Sequence, residues 1–330
     1  MSLSQRLARL ADVARGPLTL SNRNLFIDGA LDHWSTPSAA LPATTPGYIA
    51  PLMWQARAGL GGAGTLAAQS IRTDPQRALL DNPNAVNVAR FTLTTASTGT
   101  FAGGNAPAFL QPVERADTGA GQTLTVSAKL RTVSGAKKVT GLVLTQAFGG
   151  SAGIVSFAKA IDWTLTDTFK RFSVRIDPPA IAAGVTFTND FLQCGLVFDG
   201  AVGALDIAEL QLEKSSSYCS DDLTGQGGAP TTFEYRGIGP ELDRVKRHYE
   251  VMTPFNVYLY GLTTGVPANT VPYSEKRAAP AISAAANLTN ATGFVVANNY
   301  RGGLMYTLSV TASGWYSVSN NGNWIIDARL

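Results

Sequence analysis

Between Thr123 and Leu130 the chain alternates: Leu124, Val126, Ala128 and Leu130 are apolar, and Thr123, Thr125, Ser127 and Lys129 are polar. Phe172, Val174 and Ile176 alternate in the same way with Arg171, Ser173 and Arg175. A period of two puts every apolar side chain of a strand on one face, so both stretches predict half-buried antiparallel strands. Further strands are predicted over 139–148, 191–198 and 205–212, separated by the turn signals in "DPPAIAAG" and "FDGAVG". Cys194 falls in phase with Leu192, Leu196 and Phe198, which makes it a buried thiol. No helical period interrupts this region. Many strands at such spacing predict two packed sheets in a jelly roll, and the Pro- and Ala-rich stretch 36–51 predicts an irregular loop or a cover over one of them.

The two ends of the chain differ. Leu3, Leu7, Leu10 and Ala14 recur at helical spacing until Gly16-Pro17 stops them. A helix this short is marginal alone, so its apolar stripe rests on its own domain, on sister copies or on a larger assembly. Past Tyr235, Gly239-Pro240 with Leu242, Val245 and Tyr249 on one face predicts a short linking helix. Strand patterns then return in "VYLYGL", "GFVVAN", "LMYTLSVT", "GWYSVS" and "WIIDARL". The expected organisation is all-β: an N-terminal helix over 1–17, a jelly-roll β-sandwich over 18–235, a linker helix over 236–252 and a smaller C-terminal β domain over 253–330. A domain so small is short of core, and burial against identical copies would supply it.

Composition agrees with this picture. Of 330 residues only 15 % are charged and 33 are glycine, which suits short strands and many turns. The formal net charge is +3, and the basic residues are scattered apart from Lys137-Lys138 and the Arg244, Lys246, Arg247 group. That leaves no track for phosphates, so nucleic acid is not an expected partner. Two cysteines, Cys194 and Cys219, do not make a disulfide scaffold. Arg6, Arg9 and Arg15 break up the first sixteen residues, and no later run has membrane-spanning length, so membrane insertion is not expected and synthesis in the cytoplasm is.

Catalytic constellations are missing from the sequence. Its two histidines, His33 and His248, have no Cys or His partner at ligand spacing, and there is no nucleophile elbow, phosphate loop or His-Glu-x-x-His. Glycoside cleavage needs only two carboxylates, for which Asp162, Asp167, Asp190, Asp199, Asp221 and Asp222 are candidates by loop position. Aspartates in such places commonly cap turns instead. Trp34, Trp163, Phe172 and Phe198 are expected in the core, and Glu114, Glu209 and Glu213 on outward faces or in strand-edge hydrogen bonds.

Six segments recur in an order that resembles the jelly-roll receptor-binding, fibre and spike proteins of tailed bacteriophages, prophages and gene-transfer particles. They are "NLFIDGALDHWS" from Asn24 to Ser35 as a first strand; Gln111 and Glu114 in "FLQPVERADTGAGQTLTVSAKLRT"; Gln146, Phe148 and Gly149; "LTDTFKRFSVRI"; "DIAELQLE" from Asp206 to Glu213, closing the sandwich; and "TTFEYRGIGPELDRVKRHYE". The family's Cys in the last segment is Val245 here, and its acid after the first turn is replaced by Ala30. The resemblance implies a homotrimeric structural component on the surface of a virion or phage-like particle, made in the bacterial cytoplasm. It would bind host cell-surface polysaccharide without catalysis and meet other particle proteins through its N-terminal helix. Alternatives are a polysaccharide-degrading depolymerase and a capsid or tail decoration protein. No cofactor is implied beyond a structural calcium where the first and last strands meet, with Asp28, Asp32 and Asp206 as ligands. For sugar binding the aromatic and amide residues near the C-terminal turns are candidates: Tyr300, Arg301, Trp315, Asn321 and Trp324. Trp315 and Trp324 have an alternative place in the domain core or a subunit interface.

Overall fold

The computed structural model describes residues 23–148, 154–187, 190–214 and 230–252, and beyond them the backbone of the C-terminal strands up to residue 327. The chain divides into two compact units, Met1–Ile238 and Gly239–Leu330. The expected helix over 1–17 lies outside the described residues.

Among the described residues twelve strands build the first unit: β1 (Ser38–Ala40), β2 (Gly47–Tyr48), β3 (Gln55–Arg57), β4 (Ala63–Ser70), β5 (Asn87–Thr95), β6 (Ala108–Glu114), β7 (Leu124–Ser134), β8 (Lys138–Ala147), β9 (Ile154–Thr164), β10 (Lys170–Ile176), β11 (Phe191–Phe198) and β12 (Gly203–Lys214). They form two six-stranded antiparallel sheets, sheet I in the order β1-β4-β5-β12-β7-β10 and sheet II in the order β2-β3-β6-β11-β8-β9. From β6 onward the chain passes repeatedly between the sheets, which is the jelly-roll path predicted from the alternation. Apolar residues of period two face inward from both. Trp54 stacks on Phe109 at 4.8 Å and meets Phe26 at 4.9 Å; Phe91 of sheet I meets Phe198 of sheet II at 5.1 Å. Trp163 and Phe172 close the side where β9 and β10 leave the core, at 5.2 Å. Burial of such side chains contributes about 1.5–3 kcal/mol each.

β12 contains a phase slip that its sequence carries openly: Leu205 and Ile207 are odd-numbered, Leu210 and Leu212 even. The pairing with β7 shifts register between Ala208 and Gln211, and Glu209 has φ 51°. This bulge keeps all four apolar residues fully buried, with Asp206, Ala208, Gln211 and Glu213 on the outer face.

Two local expectations change. The segment from Asn24 to Ser35 is not a strand but a chain of bends, with Asp28 at φ 55° and Leu31 at φ 60°, attached to β12 by Leu25 N–H donating to Leu212 O at 2.7 Å. Residues 36–51 contribute edge strands β1 and β2, one to each sheet, instead of a cover. The cover is the link between β4 and β5, residues 71–86, which includes a 3-10 helix at Pro75–Leu79 capped by Asp74. Its Ile71, Leu80 and Ala85 pack with Val88, Phe169 and Ala208 on the outer side of sheet I.

The second unit begins in a helix α1, Ile238–Lys246. Residues Tyr249–Met252, expected within the linker, are strand β13. There follow β14 (Asn256–Gly261), β15 (Ala268–Pro272), β16 (Ala281–Ser283), β17 (Asn287–Thr289), β18 (Ala291–Tyr300), β19 (Gly303–Val310), β20 (Gly314–Ser319) and β21 (Trp324–Asp327). They make three three-stranded sheets, β13-β21-β16, β14-β20-β17 and β15-β19-β18.

Candidate functional site

The outer face of sheet I is filled by its own chain. Asp206 is fully buried and takes both Arg90, through Nε at 2.8 Å and NH2 at 3.0 Å, and Arg131, through Nε at 2.9 Å. Arg131 NH2 also reaches Asp74 of the 71–86 link at 2.6 Å. Asp81 of the same link receives Lys129 Nζ at 2.7 Å and Arg171 NH1 at 2.5 Å, and Glu209 accepts Asn82 N–H at 2.6 Å. The hydrogen bond from Arg131 holds the Asp74 carboxyl below its usual range. Burial pushes Asp81 upward, but Lys129, the Phe233 N–H and Arg171 outweigh it and its value falls. Glu209 goes the other way, raised by burial. Such interlocked charges hold the link over β5, β12, β7 and β10 of this face.

The outer face of sheet II is covered only in part: Ala106, Ala108, Leu110 and Val197 form a buried cluster with Phe101 and Val143 packed against it, and the neighbouring positions are half-buried or exposed. One register row crosses all six strands: Tyr48, Gln55, Leu110, Gly195, Val143 and Ala158. A neighbouring row carries Pro112, Gln193, Thr145 and Ser156, and a third Phe191, Ala147 and Ile154. Leu110 and Gly195 are buried and form a floor, Tyr48, Gln55, Gln193, Thr145 and Phe191 are half-buried, and Ser156 and Ala158 are exposed. At strand spacings of about 4.8 Å the row measures roughly 24 Å. Gln193 Nε2 donates to Gln55 Oε1 at 2.7 Å, which aligns two amides beside the floor. Phe101 lies over Gly141, where a Cβ would come within 2.1 Å of its ring, and forms one wall. Arg57, at the end of the face, is tied to Ala106 O at 2.8 Å and Thr44 O at 3.1 Å. An apolar floor with amides, hydroxyls and aromatic rings around it matches what a saccharide chain needs: C–H faces to rest on rings and hydroxyls to meet amides.

The calcium expected at Asp28, Asp32 and Asp206 has no such ligand set. Asp206 is committed to two arginines, as above. Asp28 is fully buried, its Oδ1 accepting Asp32 N–H at 2.8 Å and standing 3.1 Å from His33 Nδ1; burial raises its carboxyl above the ordinary value. Where the first segment meets the end of the sandwich stand two arginines: Arg236 donates to Asn24 O, to Phe26 O at 3.3 Å and to Glu234 at 2.9 Å, and Arg23 pairs with Glu213 at 3.5 Å. Among the described residues no group of three His, Cys, Asp or Glu side chains is placed to hold a metal ion.

The candidate aspartates are also engaged. Asp199 receives Lys137 Nζ and the Lys138 N–H at 2.6 Å, Asp190 accepts Ala116 N–H at 2.7 Å, and exposed Asp162 meets Lys138 at 3.2 Å. Asp221 and Asp222 lie outside the described residues. Trp163, Phe172 and Phe198 are buried as expected, and Trp34 is half-buried with Nε1 donating to Leu31 O at 2.6 Å.

Three of the C-terminal candidates are separated by the topology. Trp315 is on β20, Trp324 on β21 and Tyr300 on β18, in three different sheets; Arg301 and Asn321 lie outside the described residues. The outer face of sheet II, in contrast, was not among the candidates. Its signal in sequence is faint: small residues in one phase of β9 and β11, Ser156, Ala158, Ala160 and Gly195, against larger ones in the other.

No protein-family model matches the chain, and no curated protein matches it at a significant level. Solved structures resemble it at low TM-scores. An endo-1,4-β-D-xylanase fragment of Clostridium thermocellum complexed with xylohexaose is 10 % identical or less, at 9 %, with a TM-score of 0.34 over 61 % of this chain and 30 % of that one. A family 11 carbohydrate-binding module of the same organism, in complex with a β-1,3-1,4-mixed-linked tetrasaccharide, is 10 % identical with a TM-score of 0.31, over 58 % of this chain and 95 % of its own. The enzymatically active domain of tailspike protein 4 of bacteriophage CBA120 is 10 % identical with a TM-score of 0.31, over 58 % of this chain and 21 % of its own. The chain thus spans less than a third of the length of the xylanase and tailspike structures.

Proposed function

We propose that this protein is a non-catalytic polysaccharide-binding component of a phage-like particle, and that it holds an extended saccharide chain along the outer face of sheet II. The observation that carries this reading is the contrast between the two faces of the sandwich. Sheet I is covered by the 71–86 link and its ion pairs, whereas sheet II offers a row across six strands with an apolar floor and aligned Gln55 and Gln193. The particle setting is supported by the six ordered sequence segments, as are a homotrimeric state, attachment through the N-terminal helix and surface display.

Binding is tested with the full chain on a glycan array, repeated with Gln193→Ala and Phe191→Ala. Weakening of the same glycan signal by about tenfold in each is expected, since each removes a stacking or hydrogen-bonding group. Signals equal to those of the unmodified chain would reject this face. Reducing ends released steadily from a bound polysaccharide would reject the non-catalytic role. Mass measurement in solution should give three chains, and the protein should be recovered in purified particles.

A further inference from the structure

Among the described residues four strand edges bound the sandwich, and three of them are blunted. β1 and β2 are three and two residues long, and β10 carries Lys170, Arg171 and Arg175. Edges that are short or charged do not invite a further strand. β9 runs for eleven residues at the edge of sheet II, and on its side away from β8 no described strand meets its N–H and C=O groups. Its side chains are also unlike those of the other edges. Val155 and Phe157 pair with Gln146 and Leu144, which are buried, so by alternation they belong to the inner face of the sheet. They are nevertheless 40 % and 37 % exposed, and Ile154 on the other face is 67 % exposed. Apolar inner-face positions left in water along a free edge are what one more strand would cover.

We propose that β9 pairs antiparallel with β9 of a second copy, Ala158 facing Ala158. The strand is complementary to itself. Antiparallel partners point their opposed side chains to the same side, so two copies about a two-fold axis oppose residues of equal parity. The register of longest overlap sets Lys159 against Lys159, which repels. Two registers come next in length. The one centred on Ala160 leaves Ile154 and Val155 outside the pair, whereas the one centred on Ala158 runs from Ile154 to Asp162 and opposes no like charges. In it Val155 meets Ile161 and Phe157 meets the stem of Lys159, while the two Phe157 rings lie on a diagonal of about 7–8 Å, within aromatic reach. A two-fold contact does not close a ring of three, so this one lies outside the three-chain state proposed above and links one assembly to another.

The test is disulfide capture in the full chain with Cys219→Ser, where the remaining Cys194 is buried. Under mild oxidation Ala158→Cys should give a two-chain species on a non-reducing denaturing gel, about tenfold more of it than Ser156→Cys gives. Opposed residues stand about 4.5–5.5 Å apart, within reach of a disulfide, whereas the two copies of residue 156 are four positions out of register, at about 14 Å. Ala158 and Ser156 are both exposed, so random collision would link them alike, and equal yields overturn the pairing. In the Ala158→Cys chain, Phe157→Lys sets a positive charge against Lys159 twice in each contact and should lower the yield about tenfold, while Phe157→Glu sets an opposite charge there and stays within about threefold. Equal yields in those two variants, whether lost or kept, overturn the register. Absence of the two-chain species from Ala158→Cys at every protein concentration overturns the contact itself.

Discussion

Gln111 holds both backbone groups of Ile27. Its Nε2 donates to Ile27 O at 2.6 Å, and its Oε1 accepts the Ile27 N–H at 2.6 Å. The side chain is fully buried and takes the part of a neighbouring strand for a segment that has none at that point.

Replacing Gln111 by Ala should orphan two buried backbone groups, at about 1–3 kcal/mol each. Gln111→Glu should be nearly as harmful, since an ionised carboxylate has no hydrogen to give Ile27 O. Urea unfolding followed by fluorescence measures this. A midpoint unchanged in both variants would contradict the role assigned to the amide.

Arg131→Ala should destabilise the first unit by about 3 kcal/mol, because Asp206, still buried, and Asp74 of the link then each lose a charged donor. Asp74→Ala in the same background should cost less than it does alone. A double-mutant cycle reads this coupling, and strictly additive losses would show that the pair is not coupled.

The pH response of the 71–86 link follows from the directions of its carboxyl shifts. Asp74 and Asp81 are lowered on folding, so their contribution is present above the unfolded value of about 3.9 and is lost as pH falls through the lower folded values. Glu209 and Asp28 are raised by burial, so their cost is present above their folded values and eases as they take up protons. Amide hydrogen exchange in 71–86, corrected for the intrinsic rate, should therefore stay slow down to about pH 4 and quicken below it. Opening between neutrality and about pH 5 would contradict the ion-pair anchoring.

Cys194 is fully buried, and burial pushes its thiol up to about 12. In a Cys219→Ser chain, a maleimide should therefore fail to label the folded protein at neutral pH and should label it in strong urea. Labelling at the same rate in both conditions would place the thiol at the surface.

Much of the sandwich could be read from residues close together in the chain. The alternation in β7 and β10 places their faces, and the slip from Ile207 to Leu210 announces the bulge in β12. The polar residues that mark the family resemblance turn out to be internal ties: Gln111 holds Ile27, Gln211 accepts Glu234 N–H at 2.8 Å, Glu213 accepts Thr231 N–H at 2.8 Å, and Arg236 holds Asn24 and Phe26. They identify an architecture and so point away from the ligand surface. The first segment was misleading because its apolar run "NLFI" resembles a strand, while positive φ at Asp28 and Leu31 bends it.

The sequence by itself determined which side of each strand is greasy, since that depends only on neighbours two residues away, and with it the all-β class. Which strands lie side by side was decided by the folded chain. The row from Tyr48 to Ala158 draws on six separate segments, and Tyr260 pairs in register with Trp315 across a long stretch of intervening chain. Pairing of that kind is fixed by long-range burial and register, so the candidate saccharide face of sheet II exists only once that sheet has formed.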